Sequence, residues 1–274
     1  MTGDPRPIGV FDSGMGGLTV LRALMTRLPS ERFIYLGDTA RLPYGTKSAE
    51  TVQAYAMQAT RLLLDEGVKL LVIACNTASA VALPALQEGF RPTPVIGVIE
   101  PGARAGVAAT RNRRIAVIAT EGTVKGGAYA GAIRKLMRDA DVVQQPCQVF
   151  VALAEEGWTR TPATLAAIEH YLGPLFRRTP APDTLVLGCT HFPVLAEAIR
   201  EVVGDDVTLV DSAETTASAV AETLACGGLQ SSAANASPAR FLATDSPERF
   251  ARVGAIFLGS DIDPAAVELV DLRG

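Results

Sequence analysis

Short, continuously apolar runs punctuate this chain, and longer stretches of mixed polarity fill the spaces between them. The runs are IGVF (Ile8–Phe11), FIYL (Phe33–Leu36), LLVIA (Leu70–Ala74), VIGV (Val95–Val98), RIAVIA (Arg114–Ala119), TLVLG (Thr184–Gly188) and VTLV (Val207–Val210). A strand with one wet face alternates apolar and polar side chains; unbroken apolar runs fit parallel strands covered on both faces. Between them lie helical segments such as Ser48–Glu66, which Gly67 is placed to end. The alternation predicts a doubly wound α/β fold. The one low-complexity stretch, GGLQSSAANASP (Gly227–Pro238), reads as a surface loop before a strand near Phe241, not as a domain boundary.

With 274 residues the chain has room for one large domain or two ordinary ones, and at 48% hydrophobic it can bury a real core. A net charge of −4 gives no footprint for direct nucleic-acid binding, and the densest basic cluster, Arg111, Arg113 and Arg114, fits a solvated loop. No apolar stretch approaches the ~18 residues of a membrane span. The opening MTGDPRPIGVF lacks the basic-then-apolar layout of a signal peptide, so the expected location is the cytoplasm. There Cys75, Cys147, Cys189 and Cys226 are expected to be reduced. With no C-x-x-C and only two histidines, His170 and His191, a metal site is not expected; His170 reads as an ordinary helix residue.

Two stretches share one grammar. LVIACNTAS (Leu71–Ser79) and LVLGCTHFP (Leu185–Pro193) each run from an apolar strand through a small residue to a cysteine, and then into a helix. Ligands of open parallel sheets bind beyond the C-terminal ends of the strands, where both thiols fall. Asn76 or Thr77 can cap the first helix, and Thr190 or His191 the second. Helix N-termini favour anions, so a thiolate is expected at both sites. The repeated grammar suggests two related halves, one organised around each thiol.

Asp12 ends the first strand in VFDSGMGGL, where Gly14, Gly16 and Gly17 would let a backbone approach a ligand closely. The run is not G-x-G-x-x-G, and an acid there repels phosphate. Asp12 suits either an ammonium group and a proton relay or the capping of its own turn. His191, two residues past Cys189, is placed to tune that thiol or to act as an acid. Two thiols on one cleft suit proton exchange at a carbon from both sides, one as thiolate base and the other as thiol acid. None of the four lysines (Lys47, Lys69, Lys125, Lys135) sits in an obvious Schiff-base setting, so chemistry without a cofactor is the simpler reading.

The chain resembles the glutamate racemases, cofactor-independent enzymes of bacterial cell-wall synthesis in the Asp/Glu racemase superfamily. The resemblance rests on FDSGMGGL, YLGDTARLPYGTKS, LVIACNTAS, VIGVIEPGARA, LVLGCTHFPVL, LVDSAETTA and FLATDSPERF, in that order along nearly the whole chain. It implies two α/β domains related by pseudo-twofold symmetry with the active site between them, the first from residues 1–98 and 208–274 and the second from 99–207. It implies that Cys75 and Cys189 are the acid/base pair, each acting on one enantiomer of glutamate, with Asp12 and His191 as auxiliaries. Asp12, Ser13, Tyr44, Gly45, Asn76, Thr77, Thr123, Thr190 and His191 match substrate-contacting positions. The segment CQVFVALAEEGW resembles CPLFVPLVEEG without its prolines, with Glu155 or Glu156 either assisting catalysis or ending a solvated helix. CTHFP favours glutamate over aspartate as substrate. A homodimer is implied, and with only seven residues before the first strand, activity without a cell-wall-precursor activator is expected. Nothing marks a surface for the gyrase-binding role of some relatives.

Overall fold

The apolar runs pair in register, and they do so in two separate sheets. The computed structural model describes residues 3–232 and 238–272. The first sheet starts with β1 (Ile8–Asp12), α1 (Leu18–Arg27), β2 (Phe33–Gly37), α2 (Ala49–Asp65), β3 (Leu70–Ile73), α3 (Asn76–Gly89) and β4 (Val95–Gly97). Past α4 (Ile99–Ala109), the next segments are β5 (Arg114–Ala119), α5 (Glu121–Lys125), α6 (Ala128–Leu136) and β6 (Asp141–Pro146). The second sheet continues through α7 (Val149–Glu155), α8 (Pro162–Phe176), β7 (Thr184–Gly188), α9 (Ala196–Val203) and β8 (Thr208–Asp211). The helix α10 (Ser212–Gly227) returns the chain to the first sheet, which β9 (Arg240–Ala243), α11 (Pro247–Leu258) and β10 (Val267–Leu269) complete.

All the strand pairings are parallel. The order is β10-β9-β2-β1-β3-β4 in one sheet and β6-β5-β7-β8 in the other. The second sheet therefore repeats the order of the first four strands. Phe11 pairs with Ile73, and Ile118 with Leu187. Each thiol lies two residues beyond its paired position, so Cys75 and Cys189 are equivalent, as are Asp12 and Ala119, and Ser13 and Thr120. The doubly wound reading holds in both halves.

The local reasons are visible in the sequence. β1, β2, β3 and β7 are buried along their whole length, as their unbroken apolar runs require. Ser48 caps α2 by accepting the Thr51 backbone N–H, and Gly67, at φ +76°, turns the chain after it. Two strands fell outside the apolar pattern. β6 (DVVQQP) is a partly exposed edge strand with polar residues, and β10 has only three residues, two of them exposed.

One expected boundary moves. Thr208–Asp211 pairs with β7, so it belongs to the second sheet, and the return to the first sheet is made by α10 rather than at residue 208. The two crossing helices, α4 and α10, pack against each other, which keeps both passages between the sheets at one place. In the stretch Gly227–Pro238, α10 runs to Gly227 and Gly228 turns at φ +64°. Residues 233–237 of that expected loop lie outside the described residues.

Candidate active site

Both thiols come to one space between the halves. A cavity of about 30 Å³ is lined by Ser13, Tyr44, Gly45, Cys75, Asn76, Thr77, Cys189, Thr190 and His191, together with Pro43, Thr120, Gln148 and Val151. Asp12 lies behind this wall, and Thr123 bonds to two of the lining residues. The cysteines are each 5% exposed, and all four in the chain are free thiols. His170 sits on the exposed face of α8, away from the cavity. Among the described residues, no cluster of His, Cys, Asp or Glu is arranged to hold a metal ion.

Cys75 is itself the N-cap of α3, its Sγ accepting the Ala78 N–H at 3.4 Å, so Asn76 and Thr77 are inside the helix instead of capping it. At Cys189 the chain enters a 3₁₀ turn, Phe192–Leu195, before α9; His191 holds the cap position but gives no side-chain cap bond. The Cys75 Sγ lies 3.5 Å from Ser13 Oγ. Burial, with Asp12 beside it, pushes the Cys75 thiol up to about 12 despite the bonds from Ser13 and Ala78. The thiolate expected from helix position alone is therefore not the resting form of Cys75. Desolvation exceeds the helix-end effect, which falls off within one turn.

Of the roles left open for Asp12, the turn-closing one is seen directly. Its Oδ2 accepts the Gly14 N–H at 3.0 Å, closing its own turn, and its charge acts on Cys75 and His191. Burial raises its carboxyl above the usual range, opposed by His191 and by the Gly17, Gly14 and Ser13 amides. The glycines serve the protein rather than a phosphate. A Cβ at Gly16 would lie 2.4 Å from His191 Nδ1 and 2.6 Å from Thr190 Oγ1, and one at Gly17 would lie 2.5 Å from Asp12 Cβ. Only a bare backbone lets the first sheet's loop close onto the His191 turn.

His191 stands in a chain of partners. Its Nδ1 is 3.8 Å from Cys189 Sγ, and its Nε2 is 3.1 Å from Glu155 Oε1. Burial works against its charge, but bonds to Cys189 and Glu155 outweigh it and push the imidazole up to about 10. It is thus a cation at neutral pH, with both ring N–H groups donating. Glu155 is partly buried; desolvation works to raise its carboxyl, yet His191 and Arg249 hold it below the usual range. Of the two acids considered, Glu155 enters the site and Glu156 is exposed.

The remaining wall is polar. Thr77, Thr120 and Thr123 form a triangle of hydroxyls at 2.9, 3.0 and 3.3 Å that bridges the two halves. Tyr44 donates to Asp38, which also accepts from Thr244 at 3.0 Å and from Arg41 at 2.7 Å. Asn76 Oδ1 accepts from Tyr129 OH at 2.8 Å, which turns its Nδ2 free. That buried donor and the buried Oε1 of Gln148 have no protein partner. A buried polar group without a partner costs on the order of 1–3 kcal/mol, a cost that a ligand reaching Asn76 Nδ2 or Gln148 Oε1 would relieve. Thr120, Gln148 and Arg249 were not singled out in the sequence. Thr120 had one signal there, its place after β5 matching that of Ser13 after β1.

An α/β cleft with a buried thiol from each half, an acid behind one and a cation beside the other, defines an acid/base enzyme acting on a small polar molecule. The chain belongs to the Asp/Glu/hydantoin racemase family, whose model matches residues 16–220, and is an enzyme of the racemase class. It is 50% identical over 257 residues to a glutamate racemase of Geobacter metallireducens, covering 94% of each chain. Its structure matches that of a glutamate racemase from Bacillus anthracis with a TM-score of 0.92 at 38% identity, covering 97% of this chain and 98% of that one. A glutamate racemase from Francisella tularensis in complex with D-glutamate matches with a TM-score of 0.90 at 38% identity, covering 98% of both.

Proposed function

We propose that this protein interconverts L- and D-glutamate by proton exchange at Cα between Cys75 and Cys189, without a cofactor, and that its D-glutamate serves peptidoglycan synthesis. The observation that carries the reading is the placement of one thiol after the third strand of each half, both lining one cavity. The similarity to glutamate racemases supports the substrate, as does the complementary lining: a free amide donor and a free carbonyl acceptor suit a zwitterion.

A thiolate at one sulfur takes the α-hydrogen as a proton and leaves the electron pair on Cα. The thiol at the other sulfur gives its proton to the opposite face, and the negative charge ends on that second sulfur. No lysine lines the cavity, which supports direct thiol chemistry over a Schiff base. The barrier is steep. The α-hydrogen lies on the order of ten pK units above a thiol, or about 14 kcal/mol at ~1.4 kcal/mol per unit. A dry, preorganised site supplies much of that. Cys75, held as a thiol by burial and Asp12, is set to donate first, while the His191 cation stabilises negative charge at the Cys189 end.

Racemisation of L-glutamate in heavy water tests the scheme. Early in the reaction the D-glutamate formed should carry deuterium while the remaining L-glutamate stays unlabelled. Equal early labelling of both enantiomers would mean a single base, and aspartate turned over as fast as glutamate would displace the substrate assignment.

A further inference from the structure

The wall behind His191 is shared between the two halves. Cys189, His191 and Glu155 all come from second-sheet segments, whereas α11, a first-sheet helix, supplies Arg249 and Phe257. Arg249 Nη2 donates to Glu155 Oε2 at 2.7 Å, and the Phe257 ring meets the imidazole edge-on at 5.0 Å. The other Glu155 oxygen accepts from His191 at 3.1 Å. One partly buried carboxylate is thus divided between a guanidinium arriving with one half and an imidazole belonging to the other.

Resting on the racemase reading above, we propose that Arg249 is a positioning residue that docks on Glu155 when the halves close and, through Glu155, sets how firmly His191 holds its proton beside Cys189. A carboxylate with one oxygen engaged by a guanidinium offers less charge to its second partner, and the guanidinium adds like-charge pressure on the imidazolium. Both effects loosen the proton in the closed state. When the halves part, Glu155 grips the imidazole alone. Proton release on the Cys189 side is thereby tied to the moment the substrate is enclosed. The exposures suit a reversible dock: the Arg249 side chain is 40% exposed and can return to water, while Glu155 at 13% cannot leave His191 cheaply. The charged and titratable groups bearing on this chain are Cys189 beside His191, Asp12 from the end of β1, Glu155 from α7 and Arg249 from α11, with Cys75 and Cys147 acting next to Cys189.

The experiment measures kcat against pH in both directions for the full chain and for Arg249→Gln, Arg249→Lys, Glu155→Gln and the Arg249→Gln/Glu155→Gln double variant. Arg249→Gln should lower kcat roughly tenfold and move the alkaline limb to higher pH. Arg249→Lys, which keeps the charge but not the fork, should move the same limb by less and recover part of the rate. The double variant should be no slower than Glu155→Gln alone, because Arg249 acts only through that carboxylate. A loss equal at every pH overturns the proposal, and so does a double variant whose loss is the product of the two single losses. Should Arg249→Gln fail to fold, Arg249→Lys still decides: an upward limb shift supports the role, and a slower enzyme with an unmoved limb removes it. An unmodified chain inert toward both enantiomers would instead remove the racemase reading itself.

Discussion

His191 carries a charge it would not keep in the unfolded chain, and that makes it visible in stability as well as in chemistry. Its pKa rises from 6.5 to about 10 on folding, so the folded state binds the proton more tightly. The resulting stabilisation is complete below about pH 6.5 and is lost as pH climbs toward 10. Cys75 acts in the same direction but later, its thiol moving from 9.0 to about 12. The interval from pH 6.5 to 9 therefore lies below the titration of Cys75, and of Cys147, which shifts in the same way, and His191→Asn separates the His191 contribution within it. Denaturant unfolding of the unmodified chain should lose on the order of a few kcal/mol across it, and His191→Asn should show a much flatter profile. One feature of this residue was legible in the sequence: its place two positions past Cys189, within reach of that thiol. Its ties to Glu155 and Arg249 were not, because those groups arrive from α7 and α11, and sequence spacing carries no trace of such distant meetings.

At the scale of elements, the turn after β3 does two jobs with one atom. Cys75 Sγ both lines the cavity and caps α3. Cys75→Ser and Cys75→Ala should each stop racemisation, yet a serine oxygen still accepts the Ala78 N–H. The Ala variant should be the less stable of the two in urea unfolding by about 1 kcal/mol; equal stability would show that the sulfur makes no useful cap. The buried strands were readable because burial on both faces writes an unbroken apolar run, as in TLVLG, whose bounds match β7 residue for residue. β6 was not, since an edge strand needs no such run. The partner of VTLV was not legible either, since an apolar run announces a strand but not its neighbour; its Thr208–Asp211 part pairs with β7.

Across the whole molecule, the cleft is narrow. The space between the thiols is only about 30 Å³, so glutamate binding is expected to part the halves and let them return. Gly16 is where the return is most sensitive, because any Cβ there strikes the His191 ring. Gly16→Ala should fold, since its clash is with the other half and not with its own strand. It should lower kcat/KM by roughly a hundredfold by holding the halves apart, as circular dichroism and steady-state rates together would show.

The repeated strand order has one more consequence, which concerns the mismatches between its copies. Register equates Asp12 with Ala119, Asn76 with Thr190 and Thr77 with His191, so each mirror-image substrate meets a differently furnished side. Mirror-image molecules have equal free energies, and detailed balance then forces the second-order rate constants of the two directions to be identical. Those three unlike pairs can raise or lower both constants together, but any tighter saturation by one enantiomer must be matched by its slower turnover.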